Sequence, residues 1–164
     1  PMTISKTESP DFVLKSSGCE YGVEVTEATS PFDQKEMTRG HAESYVIGKF
    51  GGRFFDGVNG DEAEQALLND IEGAVQKKAD KIRNGIGTFR ELKFIELLLY
   101  ANSNAVDVCN FADKNVVQFL RTPMERNWNH LVSGTNIQQI AVIFRDILIL
   151  FSAKSTDWLE IPRT

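Results

Sequence analysis

From Phe94 to Tyr100 the chain reads Phe-Ile-Glu-Leu-Leu-Leu-Tyr, an apolar run with a single charged interruption. Such a run is far short of the roughly 18–20 residues of a membrane-spanning helix. It is also too continuously apolar for a strand with one wet face, and reads as a central strand buried on both faces. A buried sheet needs layers packed against it, and the remainder of the chain offers strands and amphipathic helices in mixture. The fold class expected is therefore α/β, a mixed β-sheet flanked by helices.

The other elements follow from periodicity. Asp11 to Lys15 alternates as a short strand, Ser16-Ser17-Gly18 has turn chemistry, and Tyr21 to Glu27 forms a second strand, most simply joined to the first as a hairpin. In that second strand Val23 and Val25 share one face, Glu24 and Thr26 the other. The first ten residues, through Ser9 and Pro10, read as a loose polar arm or edge. Ser30 can cap a helix opening on Pro31 and reaching about Tyr45. Gly48 to Gly60 holds five glycines in thirteen residues and reads as a loop or ribbon. Asp61 looks like the N-cap of the strongest helix, Glu62 to Arg83, whose Leu67, Leu68, Ile71, Val75 and Ile82 recur at helical spacing and which Asn84-Gly85 ends. Val106 to Leu120 reads as a further amphipathic helix. Ile137–Phe144 and Ile147–Phe151 are two apolar runs split by Arg145-Asp146, an antiparallel pair or one bent strand, and the tail after Ser152 reads as peripheral.

With 164 residues the chain suits one domain, 1–164, without stapling. Cys19 and Cys109 are too few for a disulfide framework or a cysteine-based zinc site, and fit reduced thiols in a cytoplasmic protein. The N-terminus has no signal-peptide pattern, and an opening on Pro1 rather than Met is compatible with residues upstream. The net charge of −5, from 18 Lys+Arg against 23 Asp+Glu, opposes nonspecific attachment to nucleic acid by bulk charge, while leaving room for a local basic groove.

The constellation with chemical content is Pro10-Asp11, twelve intervening residues, then Glu24-Val25-Thr26. Two carboxylates brought together across a hairpin can hold one hard cation. Magnesium takes oxygen ligands, commonly one or two protein carboxylates, with water and substrate phosphate completing the shell. A cation held that way supplies charge stabilisation and an activated water to phosphodiester hydrolysis.

Pro10-Asp11-Phe12-Val13-Leu14, Gly22-Val23-Glu24-Val25-Thr26, the lysine-bearing helix and the strand Phe94–Ala101 together resemble the PD-(D/E)XK nuclease superfamily, over about 10–101. The resemblance implies a restriction-endonuclease-like core there, with an additional helix and strands over 104–152. It implies that Asp11 and Glu24 bind Mg²⁺ or Mn²⁺ and serve catalysis on DNA or RNA. Thr26 stands where the motif lysine belongs, and no counterpart of the superfamily's first helix and strand is evident before Pro10. In this superfamily the lysine is sometimes supplied from the following helix. Counting about 100° per residue from Ile71, Lys78 falls about 20° from the centre of the apolar stripe, Lys81 lies on its flank, and Lys77 turns towards solvent. A lysine in an apolar stripe needs an anionic partner. Lys78 is therefore the first candidate for the displaced lysine, assisting the attacking water, and Lys81 the second.

Other residues carry less. Lys15, Glu20 and Glu27 read as solvated strand residues, and Gln34 as surface. His41 and His130 lack paired ligand spacing. Cys109 reads as core. Glu96, inside the apolar run, reads as the structural partner of a helix-borne lysine, with lining the site as the alternative. Gly51-Gly52 lacks the trailing Lys-Ser/Thr of a phosphate loop.

Two functions of different class are compatible with these residues. One is a metal-dependent nuclease, with the Gly48–Gly60 ribbon, Lys49 and Arg53 touching the substrate backbone and a homodimer bringing two sites to two strands. The other is an inactive interaction module of the same fold, such as an immunity protein or complex subunit, whose acidic surface suits a basic protein partner.

Overall fold

The computed structural model describes residues 2–16, 18–28, 60–87, 89–101 and 113–161. The expected ribbon, the helix from Pro31, and Gln34, His41, Lys49, Arg53 and Cys109 lie outside them. The described chain runs β1 (Thr3–Lys6), β2 (Phe12–Ser16), β3 (Cys19–Ala28), α1 (Gly60–Arg83), a 3₁₀ turn (Phe89–Glu91), β4 (Phe94–Ala101), α2 (Asp113–Val132), β5 (Ile137–Phe144), β6 (Ile147–Ser152) and β7 (Thr156–Glu160).

All seven strands join one sheet in sequence order. The outer pairs are antiparallel hairpins, whereas β3–β4 and β4–β5 are parallel. Parallel neighbours require crossovers, and α1 and α2 lie in them. Two right-handed crossovers advancing in the same direction put both helices on one face of the sheet. The core has that composition: Leu67, Ile71, Val75, Ala79 and Ile82 of α1 and Leu120, Met124, Trp128 and Leu131 of α2 pack on Ile95, Leu97, Leu99, Ile140, Val142, Ile149 and Phe151. Each fully buried Val, Leu, Ile, Met or Phe side chain of this set contributes about 1.5–3 kcal/mol.

The mixed α/β sheet flanked by helices is thus as expected, but several elements differ. The residues before Pro10 form a strand, β1, exposed along its length at the sheet edge. Likewise the tail adds β7 at the opposite edge. α1 already includes Asp61, which is therefore not its cap. α2 extends to Val132 past an internal Pro123, and 102–112 lie outside the described residues. The two apolar runs after Asn136 form an antiparallel pair turning at Arg145, whose φ is 51°.

The strand Phe94–Ala101 is buried on one face rather than two. Ile95, Leu97, Leu99 and Ala101 face the helices, while Tyr100 on the other face is exposed and Phe94, Glu96 and Leu98 are partly covered. Glu96 therefore turns away from α1, aligned with Val23 and Gln139, and is not the partner of a helix lysine. Burial pushes its carboxyl pKa up from 4.5. A raised folded-state pKa means that the native state holds the proton more tightly, so this group's contribution to stability is full below 4.5 and is lost as pH rises through the folded value. Glu96→Gln, neutral throughout, is expected to gain in urea midpoint over wild type as pH rises from 4 to 7. A pH-independent difference between the two would contradict this account.

Candidate functional site

Strand alternation turns Gly22, Glu24 and Thr26 of β3 towards α1. Gly22 is there because there is no room for a side chain: a Cβ would lie 2.6 Å from Pro10 Cγ and 2.7 Å from Leu92 Cδ1. Gly87, at φ +81°, leaves similar room for Ser9, since a Cβ would lie 2.6 Å from its Oγ. The Ser9-Pro10 segment is thereby seated between two glycines. Thr7 closes the same turn, its N–H donating to Asp11 O at 2.9 Å and its hydroxyl to Pro10 O. The result is that the Asp11 carboxylate stands beside β3, where its Oδ2 accepts the Val25 N–H at 2.8 Å. Gly22→Ala is expected to lower stability by about 1–3 kcal/mol through overpacking and to release the Val25 amide to faster hydrogen exchange. An unshifted denaturant midpoint with unchanged Val25 exchange would be the contrary result.

One residue along from Val25, Glu24 is the buried charged residue among those described, 2% exposed. Burying a lone carboxylate would be prohibitive, so it must be paired. Both partners come from α1. Lys78 Nζ lies 2.6 Å and Lys81 Nζ 3.2 Å from the same oxygen, Glu24 Oε1. Lys78 and Lys81 are three residues apart, adjacent on the helix face that meets β3. Lys81 has a second contact, its ammonium standing 5.3 Å from the centroid of the buried Phe89 ring. Phe89 itself is fastened through its carbonyl, which accepts from Asn136 Nδ2 at 2.9 Å, as Leu92 O does at 2.6 Å. Among the described residues Glu24 Oε2 is buried with no hydrogen-bond partner.

The residues singled out in the sequence thus meet: Asp11 bonds to the backbone next to Glu24, and Lys78 and Lys81 both reach Glu24. Thr26 occupies the same strand face two residues on, opposite Leu99. Lys77 is exposed. Lys15 instead pairs with Glu20 at 2.6 Å across the β2–β3 hairpin, both about half exposed. His130 lies in the last turn of α2, where its carbonyl, with those of Leu131 and Ser133, faces the Arg83 guanidinium. Reasoning from the sequence missed Phe89 and the glycine seats. A glycine inside a strand is a signal of close backbone approach, and Gly22 carries it; nothing local marks Phe89.

No cluster of three or more His, Cys, Asp or Glu side chains is found among the described residues. A hard-cation site needs fewer, because one or two carboxylates suffice for magnesium. The donor set fits such an ion: oxygen ligands only, with one buried carboxylate oxygen lacking any other partner. No protein-family model, curated protein or solved structure matches the chain.

Proposed function

We propose that this chain is a metal-dependent phosphodiesterase of the restriction-endonuclease-like type, hydrolysing DNA or RNA. The observation that supports it best is the buried Glu24 carboxylate, with two helix-borne lysines on one oxygen and the other oxygen unpartnered. A buried ion pair is stabilising only when its remaining lone pairs are hydrogen-bonded, and Glu24 Oε2 is not. A second carboxylate, Asp11, bonds to the backbone N–H of the next residue, Val25, from a segment seated against Gly22.

In this reading Asp11 and Glu24 would hold Mg²⁺ or Mn²⁺, which when bound supplies an activated water and neutralises charge on the phosphate. Asp11 is oriented by the Val25 N–H and cannot swing away from the strand without breaking that bond. Lys78, only 18% exposed and held at 2.6 Å by Glu24, has its ammonium fixed before substrate arrives. A fixed cationic donor stabilises developing negative charge without reorganising, which is where electrostatic catalysis is most effective. Its three N–H donors let it keep Glu24 and still reach a water or phosphate oxygen. Lys78 thereby does from the helix what the strand position now held by Thr26 does in the motif.

The test is cleavage of mixed single- and double-stranded DNA and RNA in Mg²⁺ or Mn²⁺, with chelator as control. Metal-dependent cutting by wild type supports the enzyme. No cutting, with no Mn²⁺ bound by calorimetry, would instead support the interaction module and direct the search to a protein partner.

A further inference from the structure

The two lysines on Glu24 are not equivalent. Lys78 is the closer at 2.6 Å and the less exposed at 18%, whereas Lys81 is at 3.2 Å and 30%. Lys81 alone has another seat, over the ring of Phe89. Counted together, Asp11, Glu24, Lys78 and Lys81 carry no net charge, so the free protein is already balanced without a cation. Adding a dication brings two positive charges into a site that already has two. Two unit charges about 4 Å apart repel by roughly a factor of five in affinity even at the dielectric of water, and a dication doubles that energy. The lysines therefore oppose the metal that the carboxylates attract.

We infer that Lys81 is a releasable counter-charge: it holds Glu24 in the free protein and passes to an oxygen of the phosphate when a cation is taken up, making metal binding conditional on an anionic substrate. The inference rests on the metal site proposed above. Lys78 stays with Glu24, because its departure would leave the buried carboxylate without its closest partner. Lys81 loses least by moving, with a weak bond to give up and an aromatic face beside it. The phosphate then offsets the charge that the cation adds, and cation and substrate bind cooperatively through one side chain, each raising the affinity of the other by the same factor.

The experiment is Mn²⁺ binding, measured from the free-ion paramagnetic resonance signal, in wild type, Lys81→Met and Lys77→Met, with and without the dinucleoside phosphate TpT. No cleavage is involved. Wild type is expected to bind Mn²⁺ at least about tenfold more tightly when TpT is present. Lys81→Met is expected to bind it that tightly without TpT, and to gain less than wild type on its addition, because only the phosphate's own coordination of the cation is left to contribute. Lys77→Met, altered at an exposed position, should follow wild type. Lys81→Gln carries the same expectation and replaces Lys81→Met if the latter does not fold by circular dichroism. Mn²⁺ affinity in Lys81→Met equal to or below that of wild type would overturn the inference while leaving the metal site standing. A wild type that binds Mn²⁺ without responding to TpT would overturn it equally. Absence of Mn²⁺ binding in every variant, with or without TpT, would remove the metal site and the inference with it.

Discussion

Glu24→Gln is expected to cut metal-dependent phosphodiester hydrolysis by at least about 10²–10³-fold, because a cation's stabilisation of transition-state charge is worth several kcal/mol and each 1.4 kcal/mol is about tenfold in rate. The substitution keeps the shape of the side chain and removes its charge. It therefore loses the attraction for the cation and also leaves Lys78 and Lys81 facing a neutral amide. Single-turnover cleavage at saturating Mn²⁺, with a far-UV spectrum confirming the fold, measures the effect. Excess metal should restore little, since the missing ligand oxygen is charged in wild type only. Cleavage within tenfold of wild type would mean that Glu24 is a structural carboxylate and that hydrolysis, if present, takes place elsewhere.

Lys78→Met should show its largest effect in stability, a loss of about 3–5 kcal/mol from stranding a buried carboxylate. Lys81 remains within reach of Glu24 and holds the loss towards the lower end. The double variant Glu24→Leu/Lys78→Met, in which neither charge is left buried, is expected to recover most of that stability, as buried ion pairs replaced by apolar residues commonly do. It should nevertheless be inert in cleavage. Urea unfolding of the single and double variants gives the energies, and the cleavage assay gives the function. Recovery of stability without recovery of activity would separate the two roles of the pair. A Lys78→Met protein as stable as wild type would contradict the burial argument directly.

How far the site could be read beforehand depended on which periodicity was involved. Period two in β3 put Glu24 and Thr26 together without reference to any other element, and about 100° per residue put Lys78 near the apolar stripe of α1. These two local rules, applied 54 residues apart, converge on one ion pair. Which face of β3 meets the helix was not legible. Val23 and Val25 are the more apolar pair, yet the face bearing Gly22 and Glu24 is the one covered. The covering depends on the sheet's partners and on the hand of the crossover. Glu96 misled for the same reason. An apolar run suggested burial on both sides, whereas both described helices lie on one, and Glu96 points to the other. The edge strands β1 and β7 are short and mostly exposed, so alternation in them follows the strand they pair with rather than a buried face of their own. Pro123 stands inside α2, where a proline ordinarily argues against a helix.

The placement of the lysines on α1 rather than on the strand has a consequence for the order in which the molecule assembles. β1, β2 and β3 form a meander of short-range pairings that can close early, on the timescale of hairpins. Glu24 cannot be taken out of water at that stage, because its counter-charges are on a helix 54 and 57 positions further along the chain. Docking of α1 must therefore bring apolar contact and charge neutralisation to β3 in the same event. A nascent chain that has only its first hairpins keeps Glu24 hydrated and lacks the ammonium groups the site needs. The ion pair of Glu24 with Lys78 and Lys81 is acquired together with the hydrophobic core, and under the proposed function partly folded forms would be inert.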